Sequence, residues 1–215
     1  MKVNAIITAG GTSSRFGNKN KLLEQINGCE VIKYTVDAFR YSNIDEIIIC
    51  ANLSIMDELK ELFKDYEKVR IFEGGQTRQQ SVYNGLKADR CDYVLIHDGA
   101  RPVITTELIN ICIEMVKENK ALSVMTKTID TIKEVEHGKI VKTIDRAKLY
   151  NTQTPQAFEY DLILSAHQKY AGRNFTDDAG MVEAMGADVY VIDGSYKNIK
   201  ITTQSDIELA KIYLG

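Results

Sequence analysis

Three cations, Arg15, Lys19 and Lys21, follow closely on the small-residue stretch Ala9-Gly10-Gly11-Thr12-Ser13-Ser14. A loop of this composition exposes backbone N–H groups and lets a phosphate chain approach, and cations beside it neutralise charge growing on the non-bridging oxygens of a reacting triphosphate. The plainer reading is a strand-to-loop turn followed by a solvated basic stretch. Two familiar nucleotide motifs fail here. The glycines lack the G-x-G-x-x-G spacing of a dinucleotide fingerprint, Ile47–Asn52 supplies no acid at the end of a second strand, and no G-K-[ST] follows.

Further candidates lie downstream. Gly74-Gly75-Gln76-Thr77-Arg78-Gln79-Gln80-Ser81 stands between a strand pattern and a helix pattern, so its N–H groups and hydroxyl could read a base edge or merely form a glycine turn. His97-Asp98-Gly99-Ala100-Arg101-Pro102 puts an acid at the carboxyl end of a strand, where open α/β folds hold ligands. Asp98 could bind a metal directly or through water, or pair with Arg101. Thr176-Asp177-Asp178 reads as a helix N-cap.

The elements that must position these residues follow from periodicity. Short β-branched runs at Val3–Thr8, Glu46–Cys50, Val69–Phe72, Tyr93–His97, Ala121–Thr126 and Val189–Ile192 alternate with helical stretches. That alternation predicts an α/β fold with a mostly parallel sheet and helices on its faces. Leu108, Ile111, Cys112, Met115 and Val116 predict one apolar helix face, and Val31, Ile32, Thr35 and Phe39 another. Thr131–Val135 and Lys139–Ile144, joined by Glu136-His137-Gly138, predict a hairpin. With two prolines and no linker or repeat, residues 1–215 are expected to form one domain with a protruding β-arm over 131–150.

Composition narrows the partners. The 215 residues carry 27 Lys+Arg against 30 Asp+Glu, a net charge of −3, which recommends neither nucleic acid nor an anionic membrane. Cys29, Cys50, Cys91 and Cys112 lie far apart beside apolar runs, without zinc or redox spacing, and are expected to be reduced core thiols. No apolar run suits a signal peptide or a membrane span, so a cytoplasmic location is expected.

Taken in order, the motifs resemble one family from end to end. They are Ala9-Gly10-Gly11 with Arg15 and Asn20-Lys21-Leu22, Gly74-Gly75 with Arg78, Ser81-Val82 and Gly85-Leu86, His97–Pro102, Asp130-Thr131-Ile132-Lys133, Asp145-Arg146, Gln153-Thr154-Pro155-Gln156-Ala157-Phe158, Thr176-Asp177-Asp178-Ala179 and Asn198-Ile199-Lys200. The series resembles the 2-C-methyl-D-erythritol 4-phosphate cytidylyltransferases of the non-mevalonate isoprenoid pathway. The resemblance implies a Rossmann-like twisted sheet and condensation of CTP with a polyol phosphate, giving a CDP-alditol and pyrophosphate with Mg2+. It implies that Arg15 and Lys21 stabilise charge at the α-phosphate, that Arg146 and Lys200 hold the attacking phosphate, and that Thr131 and Thr154 line the polyol end. Ala9, Gly10, Gly11, Gly74, Gly75, Arg78, Ser81, Asp98, Gly99, Ala100 and Arg101 would surround CTP, with Asp98 facing the metal. It also implies a homodimer exchanging the β-arm, each site borrowing substrate-side residues from the partner chain.

Two positions depart from the family pattern: Ser13 stands for the usual second loop glycine, and Asn20 for the proline before the lysine. Ser13 would restrict a backbone that uses positive φ. A related cytidylyltransferase acting on ribitol 5-phosphate would share the CTP half of the site, but the Asp130–Lys133, Gln153–Phe158 and Thr176–Ala179 wording is closer to the isoprenoid family. A nicotinamide oxidoreductase is disfavoured by the failed fingerprint, and a non-catalytic nucleotide-binding module by cations on both sides of the expected phosphates.

Overall fold

A computed structural model describes residues 1–11, Phe16 and 20–215. Arg15, Lys19 and Ser13, each weighed above, lie outside the described residues. The first half of the chain runs β1 (Val3–Ala9), β2 (Gln25–Ile26), β3 (Cys29–Glu30), α1 (Val31–Arg40), β4 (Glu46–Ala51), α2 (Met56–Leu62), β5 (Val69–Glu73), α3 (Arg78–Ala88), β6 (Tyr93–Asp98) and α4 (Thr106–Asn119). The second half runs β7 (Ala121–Lys127), β8 (Ile132–Glu136), β9 (Lys139–Ile144), β10 (Tyr150–Glu159), α5 (Tyr160–Lys169), α6 (Asp178–Ala184), β11 (Tyr190–Asp193) and α7 (Gln204–Leu214).

Seven strands form one sheet in the order β11-β7-β10-β6-β1-β4-β5, parallel throughout except for β10, which runs antiparallel to both neighbours. The sheet is buried on both sides, which is why its strands read as apolar runs without alternation. Ala5, Ile7, Ile47 and Ile49 pack with α1, α4 and α7, whereas Ile6, Ile48 and Cys50 pack with α3, α5 and α6. From β1 the chain leaves toward β4 and β5, then crosses through α3 to β6 on the other flank of β1. The carboxyl ends of β1 and β6 therefore meet at the point where the winding reverses, the crevice in which open α/β sheets bind ligands.

Several expectations need adjusting. Ile111 is 50% exposed, and the buried face of α4 is instead Ile109, Cys112, Ile113 and Val116, an i, i+3, i+4, i+7 stripe rotated by one position. Cys29 is half-buried, while Cys50, Cys91 and Cys112 are core thiols, pushed up to about 12 by burial. Strand β10 was not expected. It carries Pro155 inside a register shift between Thr152 and Gln156, the sort of place where a sheet accepts proline. The hairpin β8–β9 is as expected, with a two-residue turn: His137 and Gly138 take φ of 47° and 78°, the pairing of a type I′ turn. The same turn, Asn27-Gly28, joins β2 to β3, and that strong sequence signal was missed.

Candidate active site

Helix α3 sits unusually close to the sheet. A Cβ on Gly85 would come 2.8 Å from Cys50 Sγ and 2.9 Å from Ile6 Cγ2, so only glycine lets the helix lie against β1 and β4. This depth brings the start of α3 to the crevice. Thr77 caps the helix, its hydroxyl accepting from Gln80 N at 3.1 Å. Ser81 Oγ donates to Thr77 O at 2.9 Å and accepts from Gly75 N at 2.9 Å, tying the glycine turn to the first turn of the helix. Across the crevice the end of β1 approaches so closely that a Cβ on Gly10 would lie 2.8 Å from Ser81 Oγ. The two glycine-containing loops thus face one another.

Between them opens a cleft of about 310 Å³ lined by Thr8, Ala9, Gly10, Gly11, Lys21, Leu22, Gln76, Thr77, Arg78, Ser81, Asp98, Gly99, Ala100 and Lys200. Most of the residues expected around CTP are brought together here. Gly74 and Gly75 line an adjoining hollow with Asn52, Gln76 and Asn84. Arg101 turns away from the cleft, donating from Nη1 to Asn198 O at 2.7 Å.

Asp98, only 6% exposed, is the centre of charge. Its carboxylate lies 3.2 Å from Arg78 Nε, 2.8 Å from Lys200 Nζ and 3.5 Å from Arg101 Nε; the last is an ion pair without hydrogen-bond geometry. Burial alone would push this carboxyl up, but Arg78, Lys200 and Arg101 together outweigh burial and hold it well below the usual carboxylate range. Asp98 is therefore an anion at neutral pH. Arg78, for its part, would be pushed down by burial, yet Asp178 and Asp98 raise it overall.

Below Asp98 lies a neutral layer. Thr154 Oγ1 accepts from Asp98 N at 3.1 Å and stands 2.9 Å from His97 Nδ1. His97 Nε2 faces Arg101 O at 3.4 Å, and a carbonyl can only accept, so the neutral ring carries its proton on Nε2 and Nδ1 accepts from the Thr154 hydroxyl. Burial pushes His97 down to about 3, in agreement with a neutral ring. Thr154 thus stands beneath Asp98, outside the cleft lining.

Lys200 and Lys21 both line the cleft. Lys21 Nζ donates to Ile201 O at 2.6 Å, and Ile201 N donates to Ala100 O at 2.8 Å, so the strand-like segment carrying Lys200 is stitched to both walls. Asn198 completes the stitching, donating from Nδ2 to Thr154 O at 2.9 Å. Thr131 and Arg146 stand apart on the exposed arm, where Arg146 Nη1 donates to Ile129 O. In one chain they join no part of the cleft.

Sequence reasoning named His97 and Asp178 only within motifs, without a role of their own beyond capping, and did not single out His167. Asp177 makes the N-cap of α6, accepting from Gly180 N at 3.1 Å, whereas Asp178 is wholly buried and pairs with Arg78 Nη1 at 2.6 Å. Nothing in the tripeptide Thr176-Asp177-Asp178 distinguishes the cap from the ion pair.

With this geometry in hand, comparison with known proteins is decisive. The family model for 2-C-methyl-D-erythritol 4-phosphate cytidylyltransferase matches residues 3–215. The chain belongs to this family. Relatives bearing the family's name include those of Clostridium acetobutylicum, 44% identical over 98% of this chain and 96% of that protein, and of Clostridioides difficile, 40% identical over 99% and 93%. Among solved structures, the 4-diphosphocytidyl-2C-methyl-D-erythritol synthase of Anaerococcus prevotii superposes with a TM-score of 0.88 at 36% identity, covering 99% of this chain and 96% of that one. The family's cytidylyltransferase of Francisella tularensis gives 0.85 at 28% identity, covering 99% and 100%. Family membership makes the protein a nucleotidyltransferase, and it disfavours the ribitol 5-phosphate alternative. No helix among the described residues is long and apolar enough to cross a membrane.

Proposed function

We propose that the chain joins CTP to 2-C-methyl-D-erythritol 4-phosphate, forming 4-diphosphocytidyl-2-C-methyl-D-erythritol and pyrophosphate in the cytoplasm. The observation that carries this reading is the cleft at the β1/β6 switch, where a glycine loop, the start of α3 and the cations Lys21, Arg78 and Lys200 converge. The substrate phosphate is already an anionic nucleophile near neutral pH, so the reaction needs neither a covalent intermediate nor a general base. It needs in-line positioning and relief of charge at the α-phosphate. Lys21, together with Arg15, supplies that relief. Ala9, Gly10, Gly11, Gly99 and Ala100 bring backbone close to the nucleotide, and Gly74, Gly75 and Ser81 hold its base side.

Mg2+ fits this donor set. Among the described residues no three His, Cys, Asp or Glu side chains gather to form a protein cage, and one ionised carboxylate plus substrate phosphates is a common mode for Mg2+. Asp98 would hold it, and the ion would neutralise the triphosphate and the departing pyrophosphate.

On the acceptor side, Lys200 and Arg146 grip the attacking phosphate while Thr131 borders the polyol. Because Arg146 and Thr131 project from the arm, we place them in the site of a partner chain, in a homodimer that exchanges arms over 131–150. Exposed Val135, Ile140 and Val141 on that hairpin support the assignment. A coupled pyrophosphate assay tests the reading: CTP with 2-C-methyl-D-erythritol 4-phosphate should release pyrophosphate with Mg2+ and not in chelator. Equal or faster turnover with ribitol 5-phosphate would transfer the protein to the other substrate class.

A further inference from the structure

We propose that Asp178, a carboxylate outside the cleft, is a positioning residue that pre-sets Arg78 for the nucleotide. Asp178 has no exposed surface, and an unpartnered carboxylate there would be strongly destabilising. Its capping duty is discharged by Asp177. What remains is its grip on Arg78. Asp98 engages the guanidinium at Nε, 3.2 Å away, and Asp178 engages it at Nη1, 2.6 Å away. Two carboxylates on different nitrogens of one planar group fix both its place and its plane, leaving Nη2 outside both pairs.

Asp178 is itself held from three directions. Gln156 Oε1 accepts from Asp178 N at 3.0 Å and from Ala179 N at 3.2 Å, fastening the start of α6 to β10. His167 Nε2 lies 3.2 Å from Asp178 Oδ1, both side chains buried. The His167 ring stacks on Tyr83, with centroids 6.1 Å apart and planes within 13°, and Tyr83 belongs to α3, as does Arg78. The path Arg78–Asp178–His167–Tyr83 therefore closes on the helix from which it starts. Arg78 is 27% exposed at the cleft, and without this loop Asp98 at Nε would be its one remaining carboxylate partner among the described residues, leaving the plane of the guanidinium to be fixed when the nucleotide arrives. Ordering a rotamer-rich side chain at that moment weakens binding by up to about tenfold.

The inference rests on the cytidylyl-transfer reading and makes a prediction of definite sign. Asp178→Asn keeps the shape and removes a negative charge near the cleft, so field alone would tighten CTP binding. Lost positioning does the reverse. Expected is a rise of about tenfold in the KM for CTP, with the KM for 2-C-methyl-D-erythritol 4-phosphate within about twofold of wild type. An unchanged or lower KM for CTP in folded Asp178→Asn protein overturns the proposal, including the case where only kcat or the folded fraction falls. Should that variant not fold, His167→Ala and His167→Gln replace it: the alanine should raise the KM for CTP and the glutamine, which retains an N–H donor, should restore it. Equal, wild-type values in both overturn the proposal. A wild-type protein that releases no pyrophosphate defeats the underlying reading, whereas an active wild type with unaltered variants defeats the positioning role alone.

Discussion

The cleft and the β-arm handle charged side chains in opposite ways. In the cleft Asp98 is bracketed by Arg78, Lys200 and Arg101, and Arg78 by Asp98 and Asp178. On the arm, Lys133 Nζ donates to a hydroxyl, Thr143 Oγ1 at 2.7 Å, Arg146 donates to a carbonyl, and Val135, Ile140 and Val141 are 56%, 65% and 56% exposed. One region is organised before any ligand arrives. The other has its apolar surface uncovered in a single chain. The contrast teaches that the cleft is organised within one chain, whereas the arm acquires a role at a site only if, as proposed, a partner chain receives it.

The largest expected effect comes from removing Lys21, the cation proposed to act on charge developing at the α-phosphate. Lys21→Ala should lower kcat by about a hundredfold or more with the circular dichroism spectrum unchanged. Turnover close to wild type would remove Lys21 from the α-phosphate.

Arg146→Ala addresses the arm. It should raise the KM for 2-C-methyl-D-erythritol 4-phosphate about tenfold or more and leave that for CTP nearly unaltered, because in the proposed site the guanidinium would meet one ligand only. Mixing these chains with Lys21→Ala chains sharpens the comparison further. If Arg146 serves the partner's site, half of the sites in each mixed dimer are intact, and activity should return to about a quarter of wild type after exchange. Exchange without recovery would return Arg146 to its own chain.

A third expectation concerns the neutral layer under Asp98. His97 is pushed down from 6.5 to about 3 in the folded state, so between these values the unfolded chain binds a proton that the folded chain does not. Stability must then fall as pH drops through that window, by about 2 kcal/mol between pH 6.5 and pH 5 from this residue. Urea unfolding at the two pH values, with and without His97→Gln, isolates the contribution. The smallest effect belongs to the arm: Ile140→Lys should change the unfolding free energy by no more than about 0.5 kcal/mol. It should nevertheless shift the oligomeric state in sedimentation, and a stable dimer carrying the lysine would place the interface elsewhere.

The sequence was readable where side chains do one thing. Strands β1, β4, β6 and β7 are apolar because both sheet faces are covered there, and the pattern shows this directly. The glycine loops and cations were legible because phosphate chemistry restricts residue type. Strand β10 hid because its polar residues are structural partners: Gln153 Nε2 donates to Ser195 O, Thr154 supports Asp98, and Gln156 holds the start of α6. In one dimension such a stretch has the composition of a loop. The burial of Ile109 in place of Ile111 was likewise undetermined, since apolar residues at 108, 109, 111, 112 and 113 fit two overlapping stripes. Asp178 looked like a cap because a tripeptide does not say which of two acids turns inward.

The course of β10 has an evolutionary consequence. The strand starts beside the arm at Tyr150 and, four residues on, places Thr154 beneath Asp98, so a single continuous backbone links the arm to the cleft. A residue inserted or deleted in the regularly paired stretch from Tyr150 to Thr152 would exchange the inward and outward sides of that stretch or move the irregularity that follows it. The tip at His137-Gly138 carries no such obligation, being a surface turn where the chain reverses. Homologues should therefore tolerate length changes at the tip and almost none between 150 and 154. A chimera that grafts a foreign arm will keep its nucleotide chemistry only when the splice preserves that interval residue for residue.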